Sequence, residues 1–160
     1  MKVTAYLSLV RSSLEYCSVI WDPHTDIQAD AIESVQCKAL RCIHGYRPRQ
    51  ICSITQLRDN LKMHTLKQRR HHQRLTLMFK VTKGLVAVSE DDLRIRSTDE
   101  RTRRTNTRKL MCEKTPRTDT LLYSMVVRTI PQWNDLPAKT AVEADSVDCF
   151  KSRLLAGLRP

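Results

Sequence analysis

Three adjacent carboxylates, Glu90-Asp91-Asp92, stand inside Val86-Ala87-Val88-Ser89-Glu90-Asp91-Asp92-Leu93, a run that imitates the metal-binding hairpin of a polymerase. Two-metal phosphoryl transfer needs such carboxylates on a rigid turn between apolar strands, with a further carboxylate on a neighbouring strand. After Leu93 the chain reads Arg94-Ile95-Arg96, and no strand pattern elsewhere supplies the remaining ligand. An acidic loop is the better reading. Cys37, Cys42, His44 and Cys52 form a second set with zinc-ligand side chains, spaced C-x4-C-x-H-x7-C. Zinc pairs stand about two to four residues apart, in loops that turn both thiolates to one ion. Cys37 and Cys42 fall instead on one expected helix, about 500° of rotation apart, so their thiols diverge and buried unpaired cysteine is expected. His71-His72, among arginines, read as surface or phosphate-facing side chains. No Ser/His/Asp or Cys/His nucleophile can be placed by spacing. The chain alone is expected to be no enzyme, with no metal and no cofactor.

The stronger chemical signal is positive charge. The 160 residues carry 28 Lys and Arg against 17 Asp and Glu, a formal net charge of +11. Residues 1–60 carry 7 basic against 6 acidic residues, residues 61–118 carry 16 against 6, and residues 119–160 carry 5 against 5. The excess lies in the middle third. Lys67, Arg69, Arg70 and Arg74 form one cluster there; Arg94, Arg96, Arg101, Arg103, Arg104, Arg108 and Lys109 form another. Such a block attracts polyanions, nucleic acid above all. The alternative is a solvated basic helix face followed by a disordered linker, and composition does not decide between them.

The chain around these residues reads as a series of helices. Only three glycines are present, which disfavours Gly-rich phosphate loops, dinucleotide fingerprints and hairpin-rich β folds. Val3, Leu7, Val10, Leu14, Cys17 and Trp21 make one helical stripe of about five turns, stopped by Pro23. Thr25 with Gln28 has the capping-box spacing and opens a helix carrying Ile32, Val35, Ala39 and Ile43 inward, closed by Gly45. Ser53 with Gln56 and Thr65 with Gln68 repeat the spacing. The last opens a helix from Leu66 to Lys83 whose buried face is Leu75, Met78, Phe79 and Thr82, with Lys67, Arg70, Arg74 and Lys80 largely elsewhere.

From Ser89 to Thr118 periodicity disappears, and a mobile linker or long loop is expected. Leu121 to Val127 is a short apolar run that reads as a strand or a buried extended segment. Pro131 fits the first turn of a helix, which Pro137 ends. Ser146 caps a final helix carrying Val147, Phe150, Leu154 and Leu158. Trp21 and Trp133 read as core anchors. The fold class is therefore mainly α: a helical bundle over 1–88, a basic linker over 89–118, and a small closing unit over 119–160, α with at most a short hairpin. No apolar run approaches the ~20 residues of a membrane span. No export signal is legible, so an intracellular chain (nucleus or cytoplasm) with reduced thiols is expected.

Four segments together resemble a known family. Leu9 to His24 (LVRSSLEYCSVIWDPH) is similar to the segment just beyond the polymerase palm in non-LTR (LINE-type, Jockey- or CR1-like) retrotransposon reverse transcriptases. Ile32 to Tyr46 resembles the family's following helix, and Leu66 to Leu85 the next one, through Arg69-Arg70, Arg74-Leu75, Lys80 and Gly84-Leu85. Arg128 to Pro137 (RTIPQWNDLP) is the most specific piece, resembling an Arg-Thr-Ile, Trp-Asn and Leu-Pro signature. The likeness spans nearly the whole chain in collinear order. Met125-Val126-Val127 departs from it, standing where the family usually has Phe-Phe-Pro or similar, and Cys37 and Cys42 stand where it often has Arg or another non-ligand.

The resemblance implies the thumb end and post-polymerase tail of an RNA-directed DNA polymerase, with palm, fingers and endonuclease upstream of Met1. It implies structural roles for Trp21, Arg128, Trp133 and Asn134, with Arg128 placed to pair with a carboxylate such as Asp135. The expected function is electrostatic binding of an RNA or DNA backbone beside the missing polymerase core. Lys67, Arg69, Arg70, Arg74, Arg101, Arg103, Arg104, Arg108 and Lys109 are the expected phosphate contacts. The alternative is a structural or protein-interaction module that packs on that core or self-associates, with no nucleic-acid role.

Overall fold

The computed structural model describes residues 1–45, 53–102, 105–113, 115–137 and 144–156, with backbone alone for 97–102 and 105–108. The described chain is mainly α-helical, with one two-stranded sheet. It divides into two compact units, Met1–His71 and His72–Pro160. This division lies earlier in the chain than residue 88, after which periodicity fades and a linker is expected. No helix among the described residues is long and apolar enough to cross a membrane.

In the first unit, α1 (Lys2–Ala5) runs into a π-helical segment (Tyr6–Arg11) and then α2 (Ser12–Glu15). Serine hydroxyls turn back onto this stretch: Ser8 Oγ donates to the Thr4 carbonyl at 2.9 Å and Ser13 Oγ to that of Leu9 at 2.8 Å. Such bonds compete with the backbone ladder and accompany its widening. The expected five-turn helix stops at Tyr16, because Cys17 adopts a left-handed φ of 50° before α3 (Ser18–Trp21). The apolar stripe breaks with it. Tyr6 and Ser18 are buried, whereas Val10, Cys17 and Trp21 are exposed. Trp21 is no core anchor; its indole N–H donates to the Tyr16 carbonyl at 2.7 Å.

The longest helix among the described residues, α4 (Asp26–Ile43), has Thr25 at its N-cap, but the hydroxyl makes no capping bond. Gly45, at φ 67°, follows its end as expected. Its buried face is Ala29, Gln36 and Leu40, a rotation from the expected stripe that leaves Val35 exposed. Gln36 is held at both ends of its amide: the Tyr6 hydroxyl donates to its Oε1 at 3.2 Å, and its Nε2 donates to the His64 carbonyl at 3.0 Å. Burial pushes the Tyr6 phenol above its ordinary pKa. Lys2 Nζ donates to the Cys42 carbonyl at 3.1 Å, where a cation suits the helix's negative end.

After α5 (Ile54–Asn60), the capping box at Thr65 closes in both directions at the start of α6 (Leu66–Thr82). Gln68 N–H donates to Thr65 Oγ1 at 3.0 Å, and Thr65 N–H to Gln68 Oε1 at 3.1 Å. The Glu33 carboxylate accepts from Leu66 N–H at 2.9 Å, so a third N-terminal donor is satisfied by an anion. Thr65→Ala is expected to lower stability by about 1 kcal/mol, with Thr65→Ser near neutral. Urea unfolding of the two variants checks this.

The second unit closes around Leu75, Met78 and Phe79 of α6, Ile95 and Leu110 of a hairpin, Ile130, Trp133, Phe150 and Leu154. Phe79 and Phe150 stack with centroids 4.5 Å apart, and Trp133 tilts against Phe150 at 5.9 Å. The hairpin is β1 (Ile95–Thr102) and β2 (Thr105–Cys112), antiparallel, in register from Ile95↔Cys112 to Thr102↔Thr105. It occupies the stretch where a linker was expected. Leu121 to Val127 is likewise no strand: it spans α7 (Asp119–Leu122) and the start of α8 (Met125–Asn134). Pro131 lies within α8 rather than opening it, tolerated on the exposed side. The final helix, α9 (Val147–Ala156), is capped as expected, Ser146 Oγ accepting from Cys149 N–H at 3.1 Å.

Candidate nucleic-acid interface

Of the first basic cluster, Arg70 and Arg74 are buried, Arg69 is half-buried and Lys67 is exposed. In the first unit, Arg69 sends Nε and Nη2 to the two oxygens of Glu15, the second at 2.8 Å. The fork is a strong, directional ion-pair geometry, and it raises the Arg69 pKa further. Arg11 joins the same carboxylate at 3.7 Å. Arg70 Nε donates to Asp22 Oδ1 at 2.6 Å, with side chains only 2% and 7% exposed. Burial lowers the Arg70 pKa, partly offset by Glu33. Lys67 reaches Asp26 at 3.1 Å, but both side chains are open to solvent. Three acids of the first unit thus meet three basic residues at the start of α6.

In the second unit Arg74 is buried, donating from Nη2 to Gln132 Oε1 at 3.1 Å. Burial, and then the charge of Arg128, lower its pKa to about 10. An outward-facing basic side containing Arg69, Arg70 and Arg74 is therefore not what forms. Leu66, Arg70, Arg74 and Met78 follow one another at intervals of four residues, which lie on one helix face. The arginines thus share the buried stripe of Leu66 and Met78.

The second cluster lies on and beside the hairpin. Residues 94–117 carry nine Lys and Arg against three Asp and Glu. Ile95 and Leu110 hold the hairpin's base in the core. Asn134 completes the attachment with both halves of its amide: Leu110 N–H donates to Oδ1 and Nδ2 donates to the Leu110 carbonyl, each at 2.9 Å. The side chain thereby does what a third strand would do for that residue's backbone. On the hairpin, Arg96, Lys109 and Met111 are exposed. Arg96 Nε meets Glu113 at 2.9 Å while remaining 74% exposed. Just before β1, Arg94 is exposed at φ 53°. The backbone register sets Asp99 opposite Arg108 and Arg101 opposite Asn106. Arg103 and Arg104 lie outside the described residues.

Asp92 is committed to its own turn: Oδ2 accepts from Ser89 N–H at 2.9 Å and from the Ser89 hydroxyl at 2.8 Å, while Asp92 N–H donates back to Ser89 Oγ at 3.1 Å. These bonds hold its carboxyl below the ordinary carboxylate pKa. No group of three or more His, Cys, Asp or Glu among the described residues is placed to hold a metal. Cys42 is exposed rather than buried, and Cys37 is half-buried; Cys52 lies outside the described residues. Of the motif residues, Trp133 is 5% exposed in the second core, and Arg128 is half-buried beside Arg74.

The roles of Glu15, Asp22 and Glu33 were not read from the sequence; their only signal was a nearly balanced charge over the first 60 residues. Compared with protein-family models, curated proteins and solved structures, the chain finds no match.

Proposed function

We propose that this chain is a non-catalytic, C-terminal piece of a non-LTR retrotransposon reverse transcriptase, and that it holds an RNA or DNA backbone through the β1–β2 hairpin. The observation that supports this is the separation of the two basic clusters. The helical arginines are engaged with Glu15, Asp22 and Gln132, whereas nine basic residues against three acidic ones lie over 94–117. Phosphate binding draws on Arg96, Arg101, Arg108 and Lys109, with Arg103 and Arg104 between the strands in sequence. Lys67 adds at most a weak contact, and Arg69, Arg70 and Arg74 act as internal ties. Backbone contacts position the nucleic acid and carry no sequence information. Binding should weaken steeply with salt, log K falling by about 0.7–0.9 per unit log salt for each phosphate neutralised. A salt titration by fluorescence anisotropy checks this, and an affinity independent of salt removes the proposal.

A second reading draws on a different observation. In the first unit Leu9, Tyr16, Ile20 and Ile27 are 70%, 77%, 82% and 84% exposed. A contiguous apolar patch marks protein contact; on this second reading these side chains make one, and the unit packs on a polymerase core or on another copy. Concentration-dependent light scattering, with no shift of nucleic acid, favours this reading over the first.

A further inference from the structure

We infer that the β1–β2 ribbon lies along double-helical DNA rather than holding an unpaired strand; this rests on the backbone-binding reading above. The sheet has two strands only among the described residues, so it is a ribbon, with strands about 4.8 Å apart. A B-form major groove, about 12 Å wide and 8.5 Å deep, admits a two-stranded ribbon. Beyond the Ser97↔Leu110 pair the register continues through five more, Thr98↔Lys109 to Thr102↔Thr105. At about 3.4 Å per residue these make about 17 Å of ladder.

Its base is fixed by Ile95 and Leu110 in the core and by the two amide bonds of Asn134. A base fixed in this way loses little entropy on docking.

Composition separates duplex from single strand. Residues 95–112 contain no Phe, Tyr or Trp. Unpaired bases are held chiefly by stacking on aromatic side chains, worth about 1–3 kcal/mol per base, and the ribbon has none to offer. Its sequence carries groups that donate to phosphate instead, Arg96, Arg101, Arg108 and Lys109, against Asp99 and Glu100. An RNA duplex fits less well, because its major groove is deep and too narrow to enter.

Anisotropy of the full chain tests this on a labelled DNA duplex, on one of its strands alone, and on an RNA duplex of the same sequence, all at one salt concentration. The DNA duplex is expected to bind at least about tenfold tighter than either competitor. Arg96→Gln with Lys109→Gln should weaken duplex binding with the circular dichroism spectrum unchanged. Equal or tighter binding of the single strand or the RNA duplex overturns the inference and leaves backbone binding standing. Failure to bind any of the three overturns both.

Discussion

Asp22→Ala is expected to destabilise the first unit by about 3–5 kcal/mol, the cost of leaving a buried charge without its counter-ion. Arg70 is 2% exposed, and Asp22 takes its Nε at 2.6 Å. Among the described residues Arg70 Nη1 is buried with no hydrogen-bond partner, so these leave little to solvate the guanidinium once the carboxylate is gone. Asp22→Asn keeps an acceptor and should lose less. Replacing both partners, as in Asp22→Leu with Arg70→Met, removes the desolvated charges together and should recover much of the loss. The exposed Lys67–Asp26 pair gives the contrast, since Asp26→Ala should cost no more than about 1 kcal/mol. Urea unfolding of these variants provides the comparison. Equal small losses for Asp22→Ala and Asp26→Ala would show that the buried pair does not tie α6 into this unit.

Phe150→Ala should cost the second unit about 3–5 kcal/mol. The ring is fully buried, stacked on Phe79 at 4.5 Å and tilted against Trp133 at 5.9 Å. Its removal deletes apolar burial and opens a cavity that α6, α8 and α9 would have to collapse to fill. The ring contacts add about 0.5–1.5 kcal/mol beyond area alone. Phe150→Leu, which retains most of the volume, should cost distinctly less. Trp133 fluorescence follows the effect, because this tryptophan is 5% exposed while Trp21 is 41% exposed. A variant as stable as the parent would place the core elsewhere.

Much of the helical framework was legible because its signals are local. Thr65 with Gln68, Ser146, Gly45 and the Leu75-Met78-Phe79 face each act within a turn of chain, and each forms as read. What failed has two sources, one local and one distant in sequence. Thr25 occupies the N-cap without using its hydroxyl, and Trp21 is turned outward by the break at Cys17. Arg70 and Arg74 were read as surface because charged side chains usually are. Their four-residue spacing from Leu66 and Met78 was the contrary signal, and it becomes persuasive only with Asp22 and Gln132 in view. The hairpin left almost no trace. Its strands are rich in charge and threonine, end at Thr102 and resume at Thr105 without an Asn-Gly or Asp-Gly pair. The core and Asn134 hold its base; an alternating pattern does not announce it.

Salt titration of nucleic-acid binding by two variants tests most directly where the polyanion contact lies. One carries Arg101→Gln, Arg108→Gln and Lys109→Gln on the ribbon; the other carries Lys67→Gln on α6. If the ribbon makes the contact, the first variant binds more weakly and its slope of log K against log salt falls by up to about 2–3, at 0.7–0.9 per lost phosphate contact. Lys67→Gln then leaves affinity and slope essentially as they were. An unchanged slope in the ribbon variant, or an equal loss from Lys67→Gln, would contradict the assignment of backbone binding to β1 and β2.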